Sequence, residues 1–483
     1  MTGTSSIFNQ SASTASVHDT TLDGSVSGDG FSCLGTSSGG VELGVNCRTN
    51  PDRVIWVAAT GGDFTLLSTA LASITDNSST KPYVIKIAPG IYAETSTVAL
   101  KDFVDIEGSG EDVTTITCAC IGGVLVDQAV LSAGAITAEI RHLTVVNASS
   151  ISPTTSVGIY TNGGTAGSLS LLHLTASGTT ASNNYSVYNN NSSPTMTNVT
   201  ATATATTNTT GNPNNYGVYN NNSSSPTMTN VTATATTTTN TTGNPNNYGV
   251  YNNNSSSPTM TNVTATATAN TTTNTTNYGV YNNNSSSPTM TNVTATATDG
   301  SSQNFGVYNV SSSPTMTNVT ATATGTGTEG SSFTYGVRND LSSPTMTNVT
   351  ATASGGVSNQ GVTNLSSSST TTMTNVTATA SGGAQSVAVQ NSSSWTTMTN
   401  VTATATGASD TNYGVTNGGA PTRIRNSAIT GDTNSIFGNG TTNIYVGNTM
   451  LNGPVDTYVG STADFNCFGV HTFYFQPLNS ICK

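Results

Sequence analysis

The hydrophobic pattern in the middle of the chain comes from one phrase that occurs eight times. Its clearest copy reads Pro-Thr-Met-Thr-Asn-Val-Thr-Ala-Thr-Ala-Thr at residues 226–236. Its methionines follow one another at steps of 25 to 32 residues: Met196, Met228, Met260, Met290, Met316, Met346, Met373 and Met398. A unit of this length cannot bury its apolar face alone, so its copies must stack and share one core. The pattern predicts a solenoid.

The spacing of the apolar residues within the phrase predicts a corner in the backbone. Met228 and Val231 are three residues apart, and a straight strand would place them on opposite faces. A bend at Asn230 brings both inside, because Asn tolerates the left-handed conformation. Beyond the bend, Val231, Ala233 and Ala235 point inward and the threonines outward. We therefore predict a structural ladder of corner asparagines: Asn198, Asn230, Asn262, Asn292, Asn318, Asn348, Asn375 and Asn400.

A second strand is predicted at residues 216–220. With Val218 inward, alternation places Tyr216 inside and Tyr219 in solvent. The predicted inner aromatic ladder is Tyr185, Tyr216, Tyr248, Tyr278, Phe305 and Tyr335. The predicted outer stripe, a candidate binding surface, is Tyr188, Tyr219, Tyr251, Tyr281 and Tyr308. Such a stripe either contacts sugars or another subunit, or consists of tyrosines that stabilise one another.

Strands are favoured over helices because Thr, Val and Asn are poor helix formers. An Asn ladder between parallel strands resembles the right-handed parallel β-helix of the pectate-lyase-like superfamily. Residues 53–118 are similar to the start of pectin methylesterases: Val-Ile-Trp-Val-Ala-Ala at 54–59, a helical pattern with Leu67, Leu71 and Ile74, and Tyr-Val-Ile-Lys-Ile-Ala-Pro-Gly-Ile-Tyr at 83–92. The repeats resemble bacterial β-helix repeat proteins of unassigned role.

This resemblance implies an all-β fold, a single-stranded right-handed parallel β-helix with a short N-terminal capping helix. We expect an N-terminal arm at 1–52, a capping helix and first coils at 53–150, the repeat helix at 151–420, and C-terminal coils with a disulfide-closed end at 421–483. The arm has too little apolar content for its own core, so it is expected to lie on a neighbouring subunit or on its own first coils.

The content of charged residues limits the kinds of partner that the protein is expected to bind. Charged residues are 7% of the chain, against roughly 25% in ordinary soluble domains. The net charge is −12 and no Lys/Arg cluster is present, so nucleic acid is not an expected partner. No apolar segment approaches the roughly 18 residues of a membrane span. The first 30 residues lack the basic and apolar parts of a signal peptide, which is therefore absent or already removed.

Six cysteines lie outside the repeats, at Cys33, Cys47, Cys118, Cys120, Cys467 and Cys482. An even number predicts disulfides and an oxidising compartment, hence an extracellular or cell-surface location. Cys118 and Cys120 share a face of a predicted strand, so we expect either to bond to Cys33 or Cys47 rather than to each other. Cys467 and Cys482 are expected to close the C-terminal segment.

Candidate catalytic groups are sparse. Asp-Gln-Ala-Val at 127–130 is similar to a catalytic-Gln segment of pectin methylesterases, but no Asp-Phe-Ile-Phe-Gly-like segment follows. Residues 151–298 contain no carboxylate, and Asp299 and Glu329 are predicted in loops. The four histidines have no metal-ligand spacing. These observations predict no catalytic, cofactor or metal site and a protein that is not an enzyme.

Three functions remain. The first is an extracellular structural protein, either a fibre or filament subunit that polymerises through its chain ends or a surface adhesin stalk. The alternative is a β-helix protein that binds or degrades carbohydrate. The third is an ice-binding protein, since the outward threonines form regular arrays, although Thr is also the usual polar residue on a strand's outer face.

Overall fold

The computed structural model describes seven arm strands by their backbone and, with a few internal gaps, the chain from residue 53 to 482. The residues described in full are 53–147, 155–163, 167–179, 182–205, 213–238, 244–269, 274–326, 332–365, 370–440, 442–457, 463–474 and 476–482. The expectations for Cys33, Cys47 and the docking of the arm lie outside them. The arm strands are Ser5–Asn9, Ala15–His18, Thr21–Leu22, Ser25–Gly28, Phe31–Leu34, Ser37–Ser38 and Val41–Glu42.

The chain forms a right-handed parallel β-helix of about 13 turns, which confirms the predicted fold class. A central coil has three strands, for example Thr227–Thr229, Thr232–Thr237 and Asn246–Asn252. We call them the Met strand, the Ala strand and the Tyr strand. Each pairs in parallel with its equivalent in the next coil, so that Met228 lies beside Met260.

Met and Ala strands belong to one bent sheet of 28 strands, and the Tyr strands form a second sheet of 14. The first coils of the large sheet contribute Val54–Val57, Tyr83–Ile87, Gly90–Glu94, Val104–Gly108, Thr114–Cys118, Ala138–Asn147, Leu169–Thr179 and Thr195–Ala205. Its later Met strands are Thr227–Thr229, Thr259–Thr261, Thr289–Thr291, Thr315–Thr317, Thr345–Thr347, Thr370–Thr374, Trp395–Thr399, Thr422–Arg425, Asn443–Gly447 and Asp464–Phe468.

The later Ala strands are Thr232–Thr237, Thr264–Ala269, Thr294–Gly300, Thr320–Gly325, Thr350–Ser354, Thr377–Ser381, Thr402–Thr406, Ala428–Gly431, Met450–Asn452 and His471–Thr472. The second sheet comprises Val98–Ala99, Ala129–Ala133, Thr155–Asn162, Asn183–Asn190, Asn214–Asn221, Asn246–Asn252, Thr276–Asn283, Gln303–Val310, Phe333–Asp340, Ser358–Leu365, Gln385–Ser392, Thr411–Gly418, Asn434–Asn439 and Val455–Thr457.

A short helix, Leu67–Ser73, covers the N-terminal end of the coils, as the sequence predicts. It buries Leu67, Ala70 and Leu71 against the first strands. Its N-terminus is held by the carboxylate of Glu94, which accepts hydrogen bonds from the Leu67 amide at 2.8 Å and the Ser68 hydroxyl at 2.5 Å. A carboxylate at this end is stabilised by the unpaired amides and the helix dipole. Glu94 therefore fixes the cap to the second coil.

One 3-10 helix, Leu125–Gln128, follows. In the described part of the chain, no helix has both the length and the apolar character needed to cross a membrane.

The interior is built as the phrase predicts. Met228, Val231 and Ala233 are buried in one continuous hydrophobic core, as are their equivalents in the other repeats. The eight predicted corner asparagines have φ between 52° and 55°. Each of the later seven donates its side-chain amide to the carbonyl of the preceding one, at 2.9 to 3.1 Å.

The corner column continues beyond the asparagines. His142 and His173 occupy the same corner with φ of 55° and 45°, and their rings stack with centroids 5.2 Å apart. The Asn198 amide lies 3.2 Å from Nε2 of His173. These two histidines therefore take the place of asparagines in the first coils.

The predicted inner position of Tyr216 is wrong. A Cβ on Gly217 would lie 2.8 Å from the Thr234 amide nitrogen, so Gly217 faces the interior where the two sheets approach closely. Val218 also faces the core. Because these neighbouring residues both point inward, strict alternation fails, and Tyr216 and Tyr219 lie together outside the core with ring centroids 5.1 Å apart.

The expectation against a Cys118–Cys120 bond is also wrong. These cysteines form a disulfide with Cα atoms 5.1 Å apart. The strand ends at Cys118, so Cys120 no longer follows strand geometry and the chain turns to bring the sulfurs together. The predicted Cys467–Cys482 disulfide is present.

We predict that Asn292→Val destabilises the fold by about 1–3 kcal/mol, since a β-branched residue is strained at positive φ and a ladder bond is lost. Thermal unfolding measures the change. Asn292→Gly is the matched control, because it loses the bond without the strain and should cost less. Equal stability of Asn292→Val and the unmodified protein would contradict the strained corner.

Candidate functional site

The aromatic residues of the Tyr strands form one double file on the outside of the second sheet. We call it the tyrosine column; it consists of Tyr185, Tyr188, Tyr216, Tyr219, Tyr248, Tyr251, Tyr278, Tyr281, Phe305, Tyr308 and Tyr335. Along the two files, successive ring centroids are 4.6 to 5.1 Å apart. Because the ring faces lie against one another, a sugar cannot stack on them. The rings are also largely buried, with Tyr188 7% and Tyr216 9% exposed.

Asparagine amides and the guanidinium of Arg338 contact the aromatic residues of the column. Tyr188 accepts a long hydrogen bond of 3.4 Å from the Asn221 amide, and the same contact recurs at Tyr219 and Tyr251. At the C-terminal end, Arg338 takes the place of a tyrosine beside Tyr308. Its guanidinium lies 4.8 Å from the centroid of Tyr335, a favourable cation–π distance.

Burial raises the pKa of the column phenols. Desolvation raises the pKa of Tyr278 to about 12, and it raises the pKa of Tyr216 and Tyr248 well above the ordinary value. These phenols therefore stay protonated and uncharged at neutral pH.

Two asparagine ladders run inside the helix beneath the Tyr strands. The longer comprises Asn189, Asn220, Asn252, Asn282, Asn309, Asn339, Asn364 and Asn391. Every side-chain amide before that of Asn391, the last member, donates to the carbonyl of the next at 2.7 to 2.8 Å. The shorter, Asn184, Asn215, Asn247, Asn277 and Asn304, donates in the same direction. Sequence reasoning missed both ladders, although Asn flanks nearly every Tyr-Gly-Val-Tyr segment.

A second missed feature is an ionic cluster on the outward side of the first coils. Arg141 pairs with Glu139 on its own strand and, at 2.8 Å, with Glu107 on a neighbouring strand. Lys86 lies 3.4 Å from the same Glu107 carboxylate. Asp105 accepts the Glu139 backbone amide at 2.9 Å. The signal was the alternation of Asp105 with Glu107 and of Glu139 with Arg141, which puts each pair on one face.

Burial decides what this cluster can do. The side chains of Arg141 and Glu139 are only 2% and 1% exposed, whereas Glu107 and Lys86 are 18% and 25% exposed. A polymer cannot reach the two innermost groups. A buried ion pair of this kind makes the fold intolerant of the loss of one partner, so we assign the cluster to the stability of the first coils.

The other candidate residues from the sequence do not come together in one site. Gln128, in the segment similar to pectin methylesterases, is buried and donates its amide to the Gly122 carbonyl at 2.8 Å. Asp299 is an exposed residue with φ of 62°. Glu329 lies outside the described residues. Among the residues that are described, no three His, Cys, Asp or Glu side chains come together as a metal site.

The C-terminal end carries an open cleft of about 450 Å³. Leu451 and Cys482 are buried at its base, and Phe473 and Tyr474 form a wall with their ring centroids 5.6 Å apart, edge to face. Phe473 is 53% exposed and Tyr474 is 82% exposed, so much of their surface is accessible. Among the described residues, ten line the cleft and all are uncharged: Leu451, Asn452, Gly453, Pro454, Val455, Thr472, Phe473, Tyr474, Leu478 and Cys482.

Local contacts hold the wall of the cleft in place. The Thr472 amide donates to the Gln476 carbonyl at 2.8 Å, and the Leu478 amide to the Val470 carbonyl at 2.9 Å. The Cys467–Cys482 disulfide ties the end of the chain to the last Met strand. Phe473 and Tyr474 therefore lie in a turn that backbone hydrogen bonds and the nearby disulfide hold together.

No model of a known protein family and no curated protein matches the sequence. Solved structures with a similar fold include the mannuronan C-5 epimerase AlgE6 A-module of Azotobacter vinelandii (11% identity, TM-score 0.37, 84% of this chain and 94% of that chain). A second is the pectin methylesterase of Aspergillus niger, with 13% identity, a TM-score of 0.36 and coverage of 58% of this chain and 88% of that chain. A third is the pectin methylesterase of carrot, with 12% identity, a TM-score of 0.28 and coverage of 73% of this chain and 84% of that chain. At these identities the likeness concerns the fold alone.

These neighbours are enzymes, which contradicts the expectation that the chain is not one. We withdraw that expectation. It depended on a search for carboxylates within the repeats, where none occurs before Asp299. The neighbours' activities are not transferred to this chain.

We predict that Arg141→Met destabilises the fold by about 3–5 kcal/mol, because the carboxylate of Glu139, only 1% exposed, loses its ion pair with Arg141. Lys86→Met is the matched control on the partly exposed side of the cluster and should cost at most about 1 kcal/mol. Chemical denaturation compares the two variants. Similar small losses would show that the buried pair is dispensable.

We also predict that the column limits stability at high pH. The pKa of Tyr278 is raised from its ordinary value to about 12. The contribution of its burial to folding stability is therefore complete below about pH 10, the pKa of tyrosine in the unfolded chain. It is lost as the pH rises towards 12. Absorbance of tyrosinate and circular dichroism should change together in this range. Ionisation of the column tyrosines near pH 10 in the folded protein would contradict their burial.

Proposed function

We propose that the protein binds carbohydrate in the C-terminal cleft. The observation that carries this proposal is the open wall of Phe473 and Tyr474 beside the amide of Asn452 and the hydroxyl of Thr472. Ligand sites are concave, mostly apolar and fitted with a few polar groups, and their volumes are about 300–1,000 Å³. Aromatic faces suit the apolar faces of sugar rings, and the polar groups suit their hydroxyls.

The chemistry of the lining favours an uncharged saccharide. A uronate polymer would bring one carboxylate per sugar, and none of the ten lining residues that the structure describes supplies a cation. A neutral oligosaccharide avoids the cost of burying an unpaired charge. The proposed ligand therefore differs in charge from the pectin and mannuronan in the names of the neighbours.

The rest of the solenoid then serves as a spacer. About 13 coils at roughly 4.8 Å each separate the N-terminal helix from the cleft. We propose a surface adhesin in which this rod holds the cleft away from the arm. The two disulfides support an extracellular or cell-surface setting. Assembly through the chain ends stays a prediction.

We predict that Tyr474→Ala weakens binding of a neutral oligosaccharide by about 5–30-fold, the equivalent of about 1–2 kcal/mol of lost apolar contact. Isothermal titration calorimetry with cello-, xylo- and chito-hexaose, and with oligogalacturonate for comparison, measures the change. Trp395→Ala is the control, because Trp395 is similarly exposed at 56% but lies away from the cleft.

Mass spectrometry of the same incubations reports any turnover of the sugars. Binding to the neutral sugars that Tyr474→Ala weakens and Trp395→Ala preserves supports the proposal. If no hexaose binds, or if both variants bind as the unmodified protein does, the cleft is not a saccharide site.

A further inference from the structure

We propose that Tyr308 is a redox-active residue that gives one electron to an outer-sphere one-electron oxidant while its phenolic proton passes to Asp340. This inference is independent of the carbohydrate site, because it rests on the C-terminal end of the tyrosine column.

The geometry provides the proton acceptor. The Tyr308 hydroxyl donates a hydrogen bond of 2.7 Å to Oδ2 of Asp340. Arg338 orients that carboxylate, since its Nε lies 3.0 and 3.1 Å from the two oxygens and its Nη2 lies 2.9 Å from Oδ2. All three side chains are partly buried. The proton therefore has a short path that needs no movement of heavy atoms.

The hydrogen bonds distinguish Tyr308 from the other tyrosines of the column. Tyr188, Tyr219 and Tyr251 accept amide hydrogens from asparagines, which cannot take up a proton. The chain has no carboxylate from residue 151 to residue 298. A phenol that loses an electron becomes strongly acidic, so oxidation is easiest where a base receives its proton. If another ring of the column is oxidised first, electron transfer between neighbouring rings should therefore move the radical to Tyr308.

Stacking connects the other rings to this site. Tyr308 lies 4.6 Å from Phe305 and 5.1 Å from Tyr281, measured between ring centroids. From Tyr281, contacts of 4.6 to 4.9 Å lead ring by ring to Tyr185 at the far end. Contact between ring faces allows an electron to pass between neighbours without leaving the column.

The step is balanced as a coupled transfer. The phenolic O–H bond of Tyr308 breaks, its proton forms an O–H bond on Asp340, and its electron reduces the oxidant. The products are a neutral tyrosyl radical, a carboxylic acid and the reduced oxidant. In the resting state, burial and the bond to Asp340 keep the pKa of Tyr308 above its ordinary value, so the proton is present to be transferred.

Photogenerated ruthenium(III) tris-bipyridine tests the proposal on the full chain, with the radical trapped by freezing and measured by electron paramagnetic resonance. Because Tyr83 also donates to a carboxylate, that of Asp76, at 2.6 Å, the measurement is made in a Tyr83→Phe background. In that background we expect a tyrosyl signal whose yield falls at least tenfold in Tyr308→Phe and in Asp340→Asn. Asp340→Glu retains a carboxylate and should restore much of the signal. Asp299→Asn, which removes an exposed carboxylate outside the column, should leave the signal unchanged.

Circular dichroism and thermal unfolding establish that each variant is folded, and Tyr308→Phe preserves the stacked ring. A signal of undiminished yield in both Tyr308→Phe and Asp340→Asn would place the radical elsewhere and overturn the assignment. The absence of any tyrosyl signal in the unmodified protein would overturn it too.

Discussion

Parallel pairing in register between successive coils is the constraint on which the molecule depends. It places each side chain about 4.8 Å from its own equivalent, so a residue is tolerated only if it interacts well with a copy of itself. Met, Val and Ala do so by sharing a core, asparagines by passing an amide bond along the ladder, and tyrosines by stacking. Like charges directly opposite one another are destabilising, which accounts for the absence of charged side chains from residue 151 to 298.

The same constraint explains where reactive groups occur. Charge enters where the repeated pattern changes: at Glu107 and Arg141 before the phrase begins, and at Arg338 and Asp340 where the tyrosine column ends although the Met phrase continues to Met398. The exposed ring of Tyr474 lies beyond the last repeat. The equal units provide a uniform support, and the departures from the repeat carry the ionisable and exposed groups.

Much of the fold was predictable because it follows from the phase of one phrase. The positions of Met228 and Val231 required a corner. The pattern around Leu71 indicated a short helix, and the resemblance to pectin methylesterases implied that this helix caps the first coil. Tyr216 was misplaced because the absent side chain of Gly217 allows two successive residues to face inward. The Arg141 cluster joins strands that are distant in sequence, and the cleft depends on a turn after Thr472. Neither follows from local periodicity.

The asparagine ladders have opposite polarity. The inner amides, such as Asn220 to Asn252, donate towards the C-terminus, whereas the corner amides, such as Asn262 to Asn230, donate towards the N-terminus. The single corner ladder thus opposes the two inner ladders, so their dipoles cancel only in part along the rod. A repeat added or removed in register would lengthen or shorten each ladder by one member and leave the direction of its bonds unchanged. The number of repeats therefore sets the length of the rod without changing how neighbouring coils are joined.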